Sequence, residues 1–149
     1  MTFKTTENSD SLPSFTVRHK VRFQHCDPAK IVFYPRYYEM LNASIEDFFE
    51  EITGVSHREM CEQGMGIPMV HLALDFINTS QLGDQLCFII TPIKIGKSSV
   101  RLQFAVESDT DRELKVEGKG VIAFADIARK CSIPIPDQIK QRLLDFQNH

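Results

Sequence analysis

The chain has 149 residues, with 17 Lys and Arg against 20 Asp and Glu for a net charge of −3, and is 42% apolar and 25% charged. That is ordinary globular composition, which excludes a disordered or fibrous chain, and the length fits one domain able to bury about 68–70% of its unfolded surface. The acidic balance argues against a broad electrostatic footprint for nucleic acid, although a local basic patch for a phosphorylated small molecule stays open.

No membrane-spanning helix is expected. The densest apolar run, Leu86 to Ile93, is broken by Thr91 and Pro92 and falls well below the roughly 20 residues needed to span. The N-terminal residues lack the apolar core of a secretory signal. Cys26, Cys61, Cys87 and Cys131 are scattered, so neither a zinc set nor a disulfide framework is indicated. A cytoplasmic protein with reduced thiols is the plain expectation.

Residues 1–13 are polar and patternless and read as a flexible tail ahead of a domain over 14–149. Phe15, Val17, Val21 and Phe23 predict a strand, broken near His19 and ending at Pro28. Pro35 opens the strongest helix signal, because proline at a first helical position gives up no needed N–H. Tyr38, Leu41, Ile45, Phe48, Phe49 and Ile52 recur at spacings of three and four and form one apolar stripe, and Gly54 is the stop. A stripe this rich in large side chains must pack against a sheet. Ser56 and Glu59 form a capping box for a short second helix ending near Gly64 or Gly66. Four strands follow. Val70, Leu72, Leu74 and Phe76 alternate; Leu86 to Ile95 is near-continuous; Val100, Leu102, Phe104 and Val106 alternate; and Leu114 to Ala125 carries Gly118 and Gly120 for bending or close approach. Asp109-Thr110-Asp111 reads as a hairpin turn. Pro134 and Pro136 lead into a terminal helix with Ile139, Leu143 and Phe146 on one face. Consecutive strands with short links favour an antiparallel sheet, and one long apolar helix beside it makes an α+β arrangement.

The connection from the first strand to the long helix, His25 to Pro35, is unusually apolar for a loop. It starts with a carboxylate, Asp27, and ends at a helix start, whose free N–H groups and partial positive charge suit a developing oxyanion. A carboxylate there can serve as base or nucleophile; equally, an Asp before a proline is a common turn former. His25 either tunes Asp27 or contacts substrate from the same strand face, or makes a strand-end hydrogen bond. Cys26 reads as packing. His57 and Cys61 at helical spacing are too few for a metal site, Glu59 and Glu62 read as capping or solvated, and His71 as core or interface. Lys94, Lys97, Ser98 and Ser99 break two strands and read as a solvated hairpin turn.

The run Asp27-Pro28-Ala29-Lys30-Ile31-Val32-Phe33-Tyr34-Pro35-Arg36-Tyr37-Tyr38 closely resembles the D-P-A-G-I-V-[FW]-Y-P-x-Y signature of the 4-hydroxybenzoyl-CoA thioesterase family, a group of hotdog-fold acyl-CoA thioesterases. The resemblance extends from about Val17 to Leu143 and includes the Gly64 to Val70 connection, the Lys97-Ser98-Ser99-Val100 turn and the Ile133-Pro134-Ile135-Pro136 approach to the last helix. It implies a hotdog fold, a long central helix wrapped by a curved antiparallel sheet. It also implies hydrolysis of an acyl-CoA thioester to CoA and a carboxylic acid without metal or redox cofactor. The assembly implied is a homodimer with active sites at the interface, paired into a homotetramer, with no nucleic-acid or membrane partner. Residue by residue, Asp27 matches the family's catalytic carboxylate, and Tyr34 the residue whose backbone N–H polarises the thioester carbonyl. Lys97, Ser98 and Ser99 match a turn lining the CoA nucleotide channel, with Arg129 and Lys130 as further phosphate contacts. Lys30 departs from the usual Gly. Asn42 stands where hydroxybenzoyl-specific enzymes have an Asp near the acyl ring, so the acyl group stays open. Hydrolysis on acyl carrier protein, and a non-catalytic acyl-CoA binding module of the same fold, are the alternatives.

Overall fold

In the computed structural model, which describes residues 12–149, a twenty-residue helix, α1 (Tyr34–Thr53), forms the axis of the fold. The tail expected over residues 1–13 lies outside the described residues up to residue 11. Pro35 sits in the first turn of α1, and Gly54 ends the helix with a φ of 75°, a left-handed cap that glycine adopts without a Cβ penalty. Met40, Leu41, Ile45, Phe48 and Phe49 line the buried face. At its start the stripe is rotated from expectation: Tyr37 is buried and Tyr38 is 37% exposed. The Tyr37 hydroxyl finds a buried partner in Ser80, whereas Tyr38 meets the half-exposed ring of Phe76.

Strand β1 (Phe15–Lys20) precedes α1. After it come α2 (His57–Glu62), β2 (Met65–Gly66), β3 (Met69–Phe76), β4 (Gln85–Ile95), β5 (Ser99–Ser108), β6 (Leu114–Ala123), β7 (Ala125–Asp126), β8 (Cys131–Ser132) and α3 (Asp137–Gln147). The main sheet has five strands in the order β1-β4-β5-β6-β3, each pair antiparallel. This is the α+β hotdog arrangement that the resemblance implies. Leu86, Phe88 and Ile90 of β4, Leu102, Phe104 and Val106 of β5, and Val116 and Ile122 of β6 close over α1. Phe48 stacks edge-on against Phe15, Phe49 and Phe146, and Phe49 against Phe124. Each such ring is worth about 1.5–3 kcal/mol when taken fully out of water. Ile139 and Leu143 of α3 complete the core.

Three elements differ from expectation. The first strand ends at Lys20, and Phe23–His25 form a 3-10 turn instead of continuing to Pro28. In β3 a bulge between Met69 and His71 turns Val70 outward, to 61% exposed, so that Met69 packs on the core in its place. The small sheet β2-β7-β8 is additional; strands two residues long carry no alternation to read.

Candidate active site

The connection from β1 to α1 folds into a hairpin. The N–H groups of Asp27 and Phe33 donate to the carbonyls of Ile31 (3.0 Å) and His25 (2.9 Å), and Cys26 bridges Val32 between them. Asp27 closes the tip: its carbonyl accepts the Lys30 N–H at 2.9 Å, and its Oδ1 accepts the Ala29 N–H at 2.8 Å. The turn-forming role is therefore real. It uses one carboxylate oxygen and leaves Oδ2 without a hydrogen bond among the described residues. Lys30, at the position where the resemblance has glycine, carries a φ of 66°. A side chain there costs about 1–2 kcal/mol of steric strain, so the loop demands the conformation that glycine adopts freely.

The returning arm of this hairpin runs directly into α1. Phe33 stands at the cap with extended dihedrals and offers no side-chain acceptor, and no acidic residue occupies the first turn. The Tyr34 N–H is thus one of the first-turn donors that a helix cannot satisfy itself, and nothing in that turn offsets the partial positive charge of the helix end. Glu39, further along, pairs with Arg36 at 2.8 Å. One backbone ladder therefore fixes both a carboxylate and an uncapped amide.

Aromatic rings surround the helix start. Phe33, Tyr34 and Phe76 are each about half exposed, and Phe76 at the end of β3 touches the rings of Tyr34, Tyr37 and Tyr38. Asn42 is exposed on α1, in the row that Tyr34 and Tyr38 begin at four-residue spacing. Ile77 and Leu82 add exposed apolar surface nearby.

His25 does not share a strand face with Asp27, because residues 23–25 coil instead of extending. Its Nδ1 accepts the Arg22 N–H at 2.9 Å, which matches the expectation of a local hydrogen bond and leaves the neutral ring's proton on Nε2. Burial lowers its pKa, and the nearby Glu39 opposes that shift. His71 is exposed on β3, not in the core.

Lys97, Ser98 and Ser99 lie elsewhere. The turn from β4 to β5 is pinned by its backbone: the Ser99 carbonyl accepts the Gly96 N–H, the Ser98 carbonyl the Phe124 N–H and the Lys97 carbonyl the Ile135 N–H, each at 2.8 Å. The Lys97 side chain is exposed. Asp27, through Ile31 and Gln81, neighbours the start of β4, whereas this turn follows its end. Eleven residues of strand rise about 3.3 Å each, so the two regions are on the order of 30 Å apart along the sheet. Within one chain the structure brings together Asp27, Tyr34 and His25, with Asn42 along the helix, and keeps the Lys97 turn apart.

Ser80 and Lys115, which neither periodicity nor a motif singles out, border the Asp27 region, and Tyr37, the last residue of the quoted signature, lies one position off the apolar stripe. Among the described residues no three His, Cys, Asp or Glu side chains gather as metal ligands, and no helix is long and apolar enough to cross a membrane.

Residues 21–143 match the family model described as the thioesterase-like superfamily. The 1,4-dihydroxy-2-naphthoyl-CoA hydrolase of Nostoc punctiforme is 26% identical over 132 residues, covering 87% of this chain and 86% of that protein. The 4-hydroxybenzoyl-CoA thioesterase of Pseudomonas sp. strain CBS-3 is 32% identical over 75 residues, 49% of this chain and 53% of that protein. Its solved structure superposes with a TM-score of 0.79 at 26% identity, covering 87% of this chain and 99% of that one. A 1,4-dihydroxy-2-naphthoyl-CoA thioesterase from Synechocystis superposes with a TM-score of 0.82 over 91% of this chain and 98% of that one, at 18% identity, a likeness of fold alone.

Proposed function

The chain belongs to the thioesterase-like superfamily, and from that premise we propose that it hydrolyses an acyl-CoA thioester to free CoA and a carboxylic acid. The observation that carries this reading is the hairpin over residues 25–33, whose ladder fixes the Asp27 carboxylate and the uncapped start of α1 together. The Tyr34 N–H receives the thioester oxygen as it becomes an oxyanion, a donor role typically worth about 2.7–4 kcal/mol in the transition state. Asp27 acts on the acyl carbon by one of two routes. In the first, a bond from Asp27 to the acyl carbon forms as the carbon–sulfur bond breaks, CoA leaves as thiolate, and water cleaves the mixed anhydride. In the second, Asp27 takes a proton from water as the water oxygen attacks, the carbon–sulfur bond breaks, and CoA leaves as thiolate and recovers that proton. Neither route calls on a metal ion or a redox group. The relatives' names put aromatic acyl groups first among candidate substrates, and the rings of Phe33, Tyr34, Tyr38 and Phe76 offer faces for such a group.

The complete site, in this reading, lies between two copies of the chain. β3 is an edge strand that pairs with β6 on one side. Its Phe76 end lies at the start of α1, and its Met69 end lies beside Ile122 and Val100, next to the Lys97 turn. Antiparallel pairing of two β3 edges about a twofold axis sets the partner's Lys97 near this copy's Tyr34, and it covers Val70 and Phe76, which are otherwise exposed. Lys97 then meets a CoA phosphate as a point charge.

Thiol release from 4-hydroxybenzoyl-CoA, benzoyl-CoA and hexanoyl-CoA, with Asp27→Asn alongside, tests the proposal. The expected result is turnover of at least one thioester and a loss of about 100-fold or more in Asp27→Asn, the low end for a positioned acid–base group. Near-normal release by Asp27→Asn removes Asp27 from the chemistry. Binding without release across the panel favours a non-catalytic module, and release confined to acyl carrier protein favours that alternative substrate.

A further inference from the structure

We propose that Ser80 and Tyr37 are positioning residues for this hydrolysis, setting the separation of the Asp27 loop from the start of α1; the inference rests on the function proposed above. Ser80 is fully buried although it lies in the polar connection from β3 to β4. Its two polar groups go to the two halves of the site. The Ser80 carbonyl accepts the Val32 N–H at 2.9 Å, on the returning arm of the hairpin. The Ser80 hydroxyl accepts the Tyr37 hydroxyl at 2.9 Å, one turn along α1 from the Tyr34 amide.

The surrounding segment continues this contact. Ile31 bridges Gln81, and the Leu82 N–H donates to the Lys30 carbonyl at 3.1 Å. Its far side is fastened to the sheet by Lys115, which is 8% exposed. Lys115 Nζ donates to the Thr79 carbonyl (3.0 Å) and to Glu113 (2.6 Å), and the Lys115 carbonyl accepts the N–H groups of Ile77 and Asn78. The hairpin that carries Asp27 is thereby held between α1 and a strap rooted in β6. Burial raises the Tyr37 pKa above that of an ordinary tyrosine, so its hydroxyl stays protonated and keeps donating. Because Ser80 and Tyr37 are both buried, they act through Asp27 and the Tyr34 amide and not by touching substrate.

Tyr37→Phe is the informative variant, since it removes one hydroxyl and keeps the ring that fills the core. Steady-state kinetics on 4-hydroxybenzoyl-CoA, normalised to folded protein, are compared for wild type, Tyr37→Phe, Ser80→Ala and the double variant. The expected outcome is a kcat about 10-fold lower in Tyr37→Phe with KM within about twofold, a 1 Å misplacement being able to cost about 100-fold. The double variant should lose no more than the worse single one. A Tyr37→Phe kcat within twofold of wild type, or losses that multiply in the double variant, overturns the proposal while thioester hydrolysis stands. A wild-type protein that releases no thiol from any of the three thioesters overturns both, and where 4-hydroxybenzoyl-CoA is not turned over the same comparison is made on the thioester that is.

Discussion

His19 sits on β1 with its Nε2 2.8 Å from the Ser44 hydroxyl and its ring edge-on to Phe88. Ser44 donates onward to the Met40 carbonyl, so it accepts from His19, and the neutral imidazole satisfies the pair. Burial pushes the His19 pKa below the ordinary 6.5, Asp47 opposes that shift, and His25 adds to it. A histidine with a lowered folded pKa is bound to fewer protons when folded than when unfolded, so its contribution to stability is present above pH 6.5 and is lost as the pH falls through the folded value. The melting temperature is therefore expected to fall between pH 7.5 and pH 5, and His19→Gln is expected to show a smaller fall. Equal slopes in the two proteins would exclude His19 as the source. Asp27 teaches a different lesson at this scale. The turn-forming and chemical readings of its sequence context look like rivals, yet one carboxylate has two oxygens, and the turn at Ala29 uses one of them.

Periodicity reveals an element's face only where one face is dry along its whole length. α1, β4 and β5 meet that condition, and their buried residues are legible from the chain to within a residue or two. β3 does not: it lies at the sheet edge, where a bulge turns Val70 outward at no cost to the core. The 3-10 turn at Phe23–His25 is likewise invisible to an alternation rule, and that is why His25 was expected on the face of Asp27. The loop and helix start of the site were readable because apolar residues in a connection are unusual. The strap over residues 77–82 was not, because its hold is made by backbone groups, one buried hydroxyl and the side chains of Lys115 and Asn78, which leave no pattern in residue types. Gly118 shows what an edge strand needs from its neighbour. A Cβ there would run into the Ala73 carbonyl and the Leu74 side chain across the β6–β3 ladder. Gly118→Ala is expected to destabilise by about 1–3 kcal/mol through overpacking, a fall of roughly 3–10 °C in Tm for a chain of this size. Gly66→Ala, where the new Cβ meets Ile127 at 3.4 Å, is the tolerated control. Equal melting temperatures for the two variants would show that β3 yields freely.

At the scale of the whole molecule, the separation of the Lys97 turn from Asp27 is what the proposed shared site has to bridge. Two rulers give it. β4 runs the length of the sheet between them, and α1 spans the same interval, since Phe49 stacks on Phe124, whose N–H donates to Ser98. The fifteen helical steps from Tyr34 to Phe49 cover about 22 Å. In one chain these parts face opposite ends of the fold; in a twofold pair joined at β3, each end meets the other copy's opposite end. A mixing experiment separates the two cases. If the proposed site is right, Asp27→Asn and Lys97→Glu are each expected to be weak alone at low acyl-CoA, the first through lost chemistry and the second through repelled phosphate. When the two are co-expressed and the site is shared, the mixed dimer pairs the intact Asp27 of one copy with the intact Lys97 of the other. With random pairing, half the dimers are mixed and one of their two sites is whole, so activity should recover to about a quarter of wild type. If the site lies within a single chain, each site in the mixed dimer keeps one defect and activity stays at the mean of the two variants. That result would leave the β3 edge without a role in hydrolysis.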